Sequence, residues 1–257
     1  MYLPLSVRYF LEIQYRGTAY SGWQVQPNSI TVQQIMDTAL QTVLREVIHC
    51  IGCGRTDAGV HAKQFFLHFD TKQAFPDHFL LRINACLPYD IAVLRFFEVA
   101  ENAHARFDAT QRSYEYHLSS RKDVFNYGLH FYKPFYKLNP QLMQEAAKIL
   151  LKYNDFPSFC KSKAGSKTTI VNITEAKWIF TNDTDWVFYI SADRFLRGMV
   201  RLIVGAMLQI GEGRMTLAEF EDGIKEGKRF KMALSAPAHG LFLTSVKYPF
   251  LNADKGE

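Results

Sequence analysis

The order of strands and helices along this sequence predicts an α+β fold. Three observations support it. Strand-like and helix-like stretches are mixed along all 257 residues, several strands come in adjacent hairpin-like pairs, and 48% of residues are hydrophobic, enough for a sizeable core. Mixed order with hairpin-like pairs favours α+β over a doubly wound sheet. The length suits one large domain or two small ones.

The first strand is the clearest element. Val7, Tyr9, Leu11, Ile13 and Tyr15 alternate with mostly polar neighbours, the period of a half-buried strand. Arg16-Gly17-Thr18 breaks it. From about Val32 to Arg45 the apolar residues Val32, Ile35, Met36, Ala39, Leu40, Val43 and Leu44 share one helical face, and Thr31 with Gln34 makes a capping box. A second strand is expected over Val47–Cys53 and a third through Phe65, Leu67 and Phe69. A short helix near Asp77–Cys86 and a strand near Ile91–Val99 complete the first half.

The second half repeats the alternation without a sequence repeat. Tyr114, Tyr116 and Leu118 suggest a strand. Asn139 caps a helix with Pro140 at its first position and Leu142, Met143, Ala146, Ala147, Leu150 and Leu151 on one face. Strands are expected near Ile173–Phe180 and Trp186–Ser191. A long apolar helix is expected over about Phe195–Ile210, and another from Thr216, with Glu219 completing its capping box, to near Gly227. Leu241–Tyr248 is a last strand. The boundary falls near residue 104, giving halves 1–103 and 104–257. No Gly/Ser- or Pro-rich linker marks it, so the halves are expected to share a sheet or a broad interface.

Composition narrows the function. No apolar run reaches the roughly 18 to 20 residues of a membrane span, and the N-terminus does not read as a signal peptide, so a cytoplasmic protein is expected. Cys50 and Cys53 form a lone C-x-x-C with no second pair to complete a zinc site; they read as buried thiols. The net charge of +5 permits a polyanionic partner without demanding one. Three basic groups stand out: Arg194, Arg197 and Arg201; Lys161, Lys163 and Lys167; and Lys225, Lys228, Arg229 and Lys231. Each reads equally as a solvated face.

The stretch that carries chemistry is Gly54-Arg55-Thr56-Asp57-Ala58-Gly59-Val60-His61-Ala62, which follows one strand and precedes another. Gly54, Ala58 and Gly59 flank an acid, and glycine permits tight turns and close approach. A carboxylate on such a loop can act as nucleophile or base. The bare residues favour the alternative, a structural turn closed by an Asp–backbone bond. His61 is a second candidate base, though a lone histidine is more often structural.

This stretch resembles the G-R-T-D-x-G-V-H-A motif of the tRNA pseudouridine synthase A family, and further matches follow in family order. Tyr15-Arg16-Gly17-Thr18 and Gly22-Trp23-Gln24 resemble Y-D-G-T and G-W-Q. Ala105-Arg106-Phe107-Asp108-Ala109-Thr110 with Arg112-Ser113-Tyr114-Glu115-Tyr116 resembles A-R-F-x-A-T and R-x-Y-x-Y. Asp155-Phe156-Pro157-Ser158-Phe159 resembles D-F-x-S-F. Phe195 with Met199-Val200-Arg201 and Ile203-Val204-Gly205 resembles F-x-x-x-M-V-R-x-I-V-G, and Gly240-Leu241-Phe242-Leu243 resembles the C-terminal strand. Arg16 departs from the family's usual Asp. The Lys161–Lys167 stretch matches none of these motifs, and its role in substrate binding stays open.

The resemblance implies two ferredoxin-like α/β halves, with mixed or antiparallel sheets, around a central basic cleft. It implies isomerisation of uridine to pseudouridine in the tRNA anticodon stem-loop, at tRNA positions 38, 39 and 40, by a homodimer. Asp57 becomes the catalytic carboxylate and Arg201 its ion partner. Tyr114 becomes the stacking residue for the flipped base, although an alternating strand tyrosine is ordinarily core packing. Arg55 is expected to bind phosphate, and Leu241 to line the pocket. The reaction involves no redox change and no energy input, so neither cofactor nor metal is expected. Two rivals remain: an RNA-binding module that needs no Asp57, and a nucleoside or nucleotide hydrolase, which would ordinarily carry a metal cluster or a second acid.

Overall fold

The computed structural model describes residues 6–134, 137–160, 168–228, 230 and 235–251. The chain divides into two compact units, one drawn from Met1–Thr110 and Leu243–Glu257, the other from Gln111–Phe242. The first unit thus runs past residue 103 and takes in most of the last strand, from Leu243.

The first unit contains β1 (Val7–Tyr15), α1 (Val32–Leu44), β2 (Ile51–Gly52), β3 (His61–Thr71), α2 (Phe79–Cys86) and β4 (Ile91–Glu98). β1 pairs antiparallel with both β3 and β4, and β2 adds a short antiparallel pair to β3. The strand Leu241–Lys247 (β9) lies beside β3. Here Gln64 reaches across, its side-chain carbonyl accepting the Val246 N–H at 2.9 Å.

β1 is buried more fully than its alternation predicts, because both faces of the sheet are covered. On one face Phe75, between Tyr9 and Phe96, meets Phe79 of α2. On the other, Phe10 packs edge-on against Tyr248 and Phe250 at 5.5 and 5.6 Å. Phe10 is completely buried, and Glu12 is buried with bonds to Gln64 and Arg95. α1 forms as its pattern requires. The Thr31 hydroxyl accepts the Gln34 N–H, and Val32, Met36, Leu40 and Leu44 are buried. Each such side chain contributes roughly 1.5–3 kcal/mol.

The expected strand over Val47–Cys53 shrinks to Ile51–Gly52. Ile51 and Gly52 pair with His68 and Leu67, the Cys53 N–H donates to the Phe66 carbonyl at 2.7 Å, and Val47 is exposed. Strand propensity without a neighbouring edge leaves an irregular segment.

The second unit contains β5 (Gln111–Ser119), β6 (Phe131–Tyr132), α3 (Pro140–Leu150), β7 (Ile173–Phe180), β8 (Asp185–Ala192), α4 (Met199–Gly211) and α5 (Leu217–Glu226). β8 pairs antiparallel with both β5 and β7, while β6 adds a short parallel pair to β5 that the sequence reading did not anticipate. Both units are therefore mixed α and β, with mostly antiparallel sheets. α3 starts at its Asn139 cap, but Leu151 lies past its end and is exposed.

α4 begins at Met199, four residues later than expected. Gly198 has φ of 72°, a left-handed conformation that a right-handed helix cannot continue through. Arg194 and Arg197 consequently precede the helix, and the three arginines share no helical face. Nearly every residue of α4 is buried, which its apolar sequence allows. α5 carries the full capping box of Thr216 and Glu219 and ends at Gly227 with φ of 64°. The Lys161–Lys167 group, Arg229 and Lys231 lie outside the described residues.

Candidate active site

The Asp57 loop is held by backbone supplied from the segment that follows β1. The Thr56 carbonyl accepts the Trp23 N–H at 3.3 Å, and the Gly59 N–H donates to the Tyr20 carbonyl at 3.3 Å. A tight turn closes the loop, with the Val60 N–H on the Asp57 carbonyl at 3.2 Å and Gly59 at φ of 80°. The Tyr15 hydroxyl pairs with Thr56 Oγ1 at 2.9 Å.

Two glycines make this approach possible. A Cβ on Gly17 would stand 1.9 Å from the Val60 carbonyl oxygen, and one on Gly22 would stand 2.3 Å from that of Thr56. Gly22 also has φ of 86°, so any side chain there is strained. The Tyr15–Thr18 and Gly22–Gln24 motifs are thus the floor on which the Asp57 motif rests. Gly54 plays no comparable part, since a Cβ there would meet nothing within 4 Å.

Within the loop, Asp57 is half-buried and Arg55 exposed. His61 is buried, and its Nδ1 accepts the Gly17 N–H at 3.0 Å. The nitrogen that would act as a base is occupied, so His61 is structural. Arg16 is exposed, and its N–H donates to the Asp90 carbonyl at 2.8 Å. The Tyr20 hydroxyl, bonded to the Asp90 carboxylate at 2.6 Å, has its pKa pushed up by burial and by that carboxylate.

Tyr114, Arg201 and Leu241 belong to the second unit. Tyr114 sits on β5 opposite Ile190 of β8 and is half-buried, while Tyr116, two residues along, is completely buried. Tyr116 is thus a core residue, while Tyr114 keeps part of its surface exposed. The Phe195 ring stands edge-on to Tyr114 at 5.2 Å and 89°. That contact explains why a phenylalanine precedes the Met199–Arg201 motif.

Arg201 lies in the first turn of α4 and exchanges two hydrogen bonds with Ala236. Its Nε donates to the Ala236 carbonyl at 2.7 Å, and the Ala236 N–H donates to its carbonyl at 2.9 Å. The Tyr116 hydroxyl donates to the next carbonyl, Pro237, at 3.0 Å. Burial raises the Tyr116 pKa, and the Arg201 charge opposes that rise. Burial also lowers the His239 pKa, with smaller contributions from His130 and Arg201. A Cβ on Gly240 would stand 2.9 Å from the Tyr116 ring. This anchored segment leads into Leu241, which is buried.

Among the described residues, no group of three or more His, Cys, Asp or Glu could hold a metal ion, and no helix is long and apolar enough to cross a membrane. Cys50 and Cys53 are both buried. Burial and the nearby Asp37 push the Cys50 thiol pKa well up, away from the thiolate that zinc would need.

A family model described as tRNA pseudouridine synthase matches residues 146–249. Beyond that class-level match lie relatives of nearly full length. The tRNA pseudouridine synthase A of Parabacteroides distasonis is 46% identical, over 94% of this chain and 96% of its own. That of Porphyromonas gingivalis is 45% identical over 94% and 97%, and that of Clostridium acetobutylicum 37% identical over 93% and 98%. The chain belongs to the tRNA pseudouridine synthase A family.

Proposed function

We propose that this protein isomerises uridine to pseudouridine in tRNA, with Asp57 as the catalytic carboxylate. The observation that carries the reading is the Asp57 loop, fixed through its backbone in a chain that shares 46% identity with a tRNA pseudouridine synthase A over 94% of its length. The reaction breaks the C1′–N1 bond, turns the uracil, and joins C1′ to C5. C5 loses a proton and N1 gains one. The ionised carboxylate acts either as nucleophile on the sugar or as base at C2′.

Arg201 serves as its ion partner, favouring the charged form. The uracil leaves the RNA stack and stacks on Tyr114, whose hydroxyl can also carry the C5 proton. Leu241 lines the pocket and Arg55 takes a phosphate. The chemistry uses no cofactor. The same reading makes the protein a cytoplasmic homodimer that acts on the anticodon stem-loop, at tRNA positions 38, 39 and 40. Several adjacent uridines can be served when recognition reads RNA shape through its phosphates, with little base readout.

The test maps pseudouridine in tRNAs carrying single uridines at position 38, 39 or 40, and in one with uridine only at position 55. Modification at 38 to 40 is expected. Modification confined to 55 would sink the substrate assignment and leave the isomerase chemistry standing. No modification of any tRNA would favour a binding module, and base release would favour a hydrolase.

A further inference from the structure

The chemistry assigned to Asp57 leaves Tyr15 and Thr56 without a role. Tyr15 ends β1 with its side chain 4% exposed and its ring edge-on to Phe65 at 5.7 Å. Packed this way, the phenol oxygen has little freedom to move. It meets Thr56 Oγ1 at 2.9 Å, one residue before the carboxylate. Threonine is stiff at χ1, so fixing its hydroxyl fixes the orientation of its Cα. Several restraints act on Thr56 and on the Asp57 backbone. They are the Tyr15 hydroxyl on the Thr56 side chain, the Trp23 N–H on the Thr56 carbonyl, and the Val60 N–H on the Asp57 carbonyl.

We infer that Tyr15 is a positioning residue for the reaction, acting through Thr56 Oγ1 to set the direction of the Asp57 carboxylate. The inference rests on Asp57 being the catalytic group. A displacement of about 1 Å in a reacting group can cost on the order of 100-fold in rate. Removing one restraint among several should cost less, about tenfold. The loss falls on the chemical step, because the buried Tyr15 side chain has little surface to offer RNA.

The test uses the full chain and prefolded tRNA. Single-turnover rates and half-saturating enzyme concentrations are measured for Y15F, T56V, the double variant, T56S and D57N, alongside thermal melting. Y15F and T56V should each lose about tenfold in rate, with half-saturation within about twofold of the parent. The double variant should be no slower than either single, since both remove the same bond, and T56S should keep at least half the parental rate. A parental rate in Y15F would overturn the inference, as would losses that multiply in the double variant. So would a rate loss that disappears when the assay is moved well below the melting temperature. Should Y15F fail to fold, T56V against T56S carries the same decision. Turnover in D57N would remove the catalytic reading itself, whereas an inactive D57N beside a fully active Y15F would remove only the positioning role.

Discussion

The two regions that hold the candidate site residues are fixed by different means. In the first unit, the Asp57 loop rests on another stretch of main chain, through backbone hydrogen bonds and two glycines that allow contact. In the second, Arg201 and Tyr116 use their own side chains to fasten the segment Ala236–Pro237, and Phe195 braces Tyr114. A loop fixed by backbone depends on residues that lack a side chain. A site fixed by side chains depends on the residues that form it. The first kind should therefore be the more sensitive to added bulk and the second to removed groups.

The largest effect should come from Asp57→Asn, which keeps the shape of the loop but supplies neither nucleophile nor base. Turnover on prefolded tRNA should fall by about 1,000-fold or more, with folding and tRNA binding retained. A variant that kept a tenth of the parental rate would show that another group does the chemistry.

Gly22→Ala tests the backbone floor. Its methyl group meets the Thr56 carbonyl and its φ is unfavourable, so the loop must shift. A loss of about 100-fold in turnover is expected, with about 1–3 kcal/mol of stability. Gly54→Ala is the internal control. It meets open space and should stay within about twofold of the parent. Equal damage at both glycines would break the contrast drawn between them.

If Arg201 acts as the ion partner of Asp57, Arg201→Ala should lower turnover by about 10- to 100-fold with little dependence on salt, as expected for a close pair rather than a long-range one. A loss that disappears at low ionic strength would make Arg201 a phosphate contact instead. The smallest loss of turnover among the damaging substitutions is expected from Tyr116→Phe. It leaves the Pro237 carbonyl without the Tyr116 donor and should cost about 1 kcal/mol of stability, read as a lower denaturation midpoint, with turnover changed far less.

Legibility in the sequence follows the same division. The helices announced themselves through periodicity and caps, as at Thr31 and Thr216, because those signals act over a single turn of chain. Asp57 stood out because its motif is long, yet the glycines that hold it lie some 35 to 40 residues upstream by direct reading of the sequence. No local rule connects Gly22 to Thr56. Val47 looked like strand because propensity knows nothing of whether a neighbouring edge exists. The start of α4 was misplaced because Phe195 and Leu196 fit an apolar helix, while the left-handed Gly198 only declares itself in three dimensions. The site residues themselves were read through a family motif rather than through spacing.

The inclusion of Leu243–Lys247 in the first unit bears on how that unit is made. Its strands β1 to β4 leave the ribosome early, but the strand that lies beside β3, and the Tyr248 ring that packs on Phe10 and Phe66, are synthesised about 145 residues after β4 ends. At a typical rate of roughly 5 to 20 residues per second, the nascent unit waits on the order of ten seconds with the part of the β3 edge beyond β2 unpaired and the aromatic surface around Phe10 uncovered. An unpaired edge beside exposed aromatic rings is a template for association with other chains. Translation arrested anywhere within the second unit would leave behind a fragment that carries the complete Asp57 loop and its glycine floor, and that is inclined to aggregate.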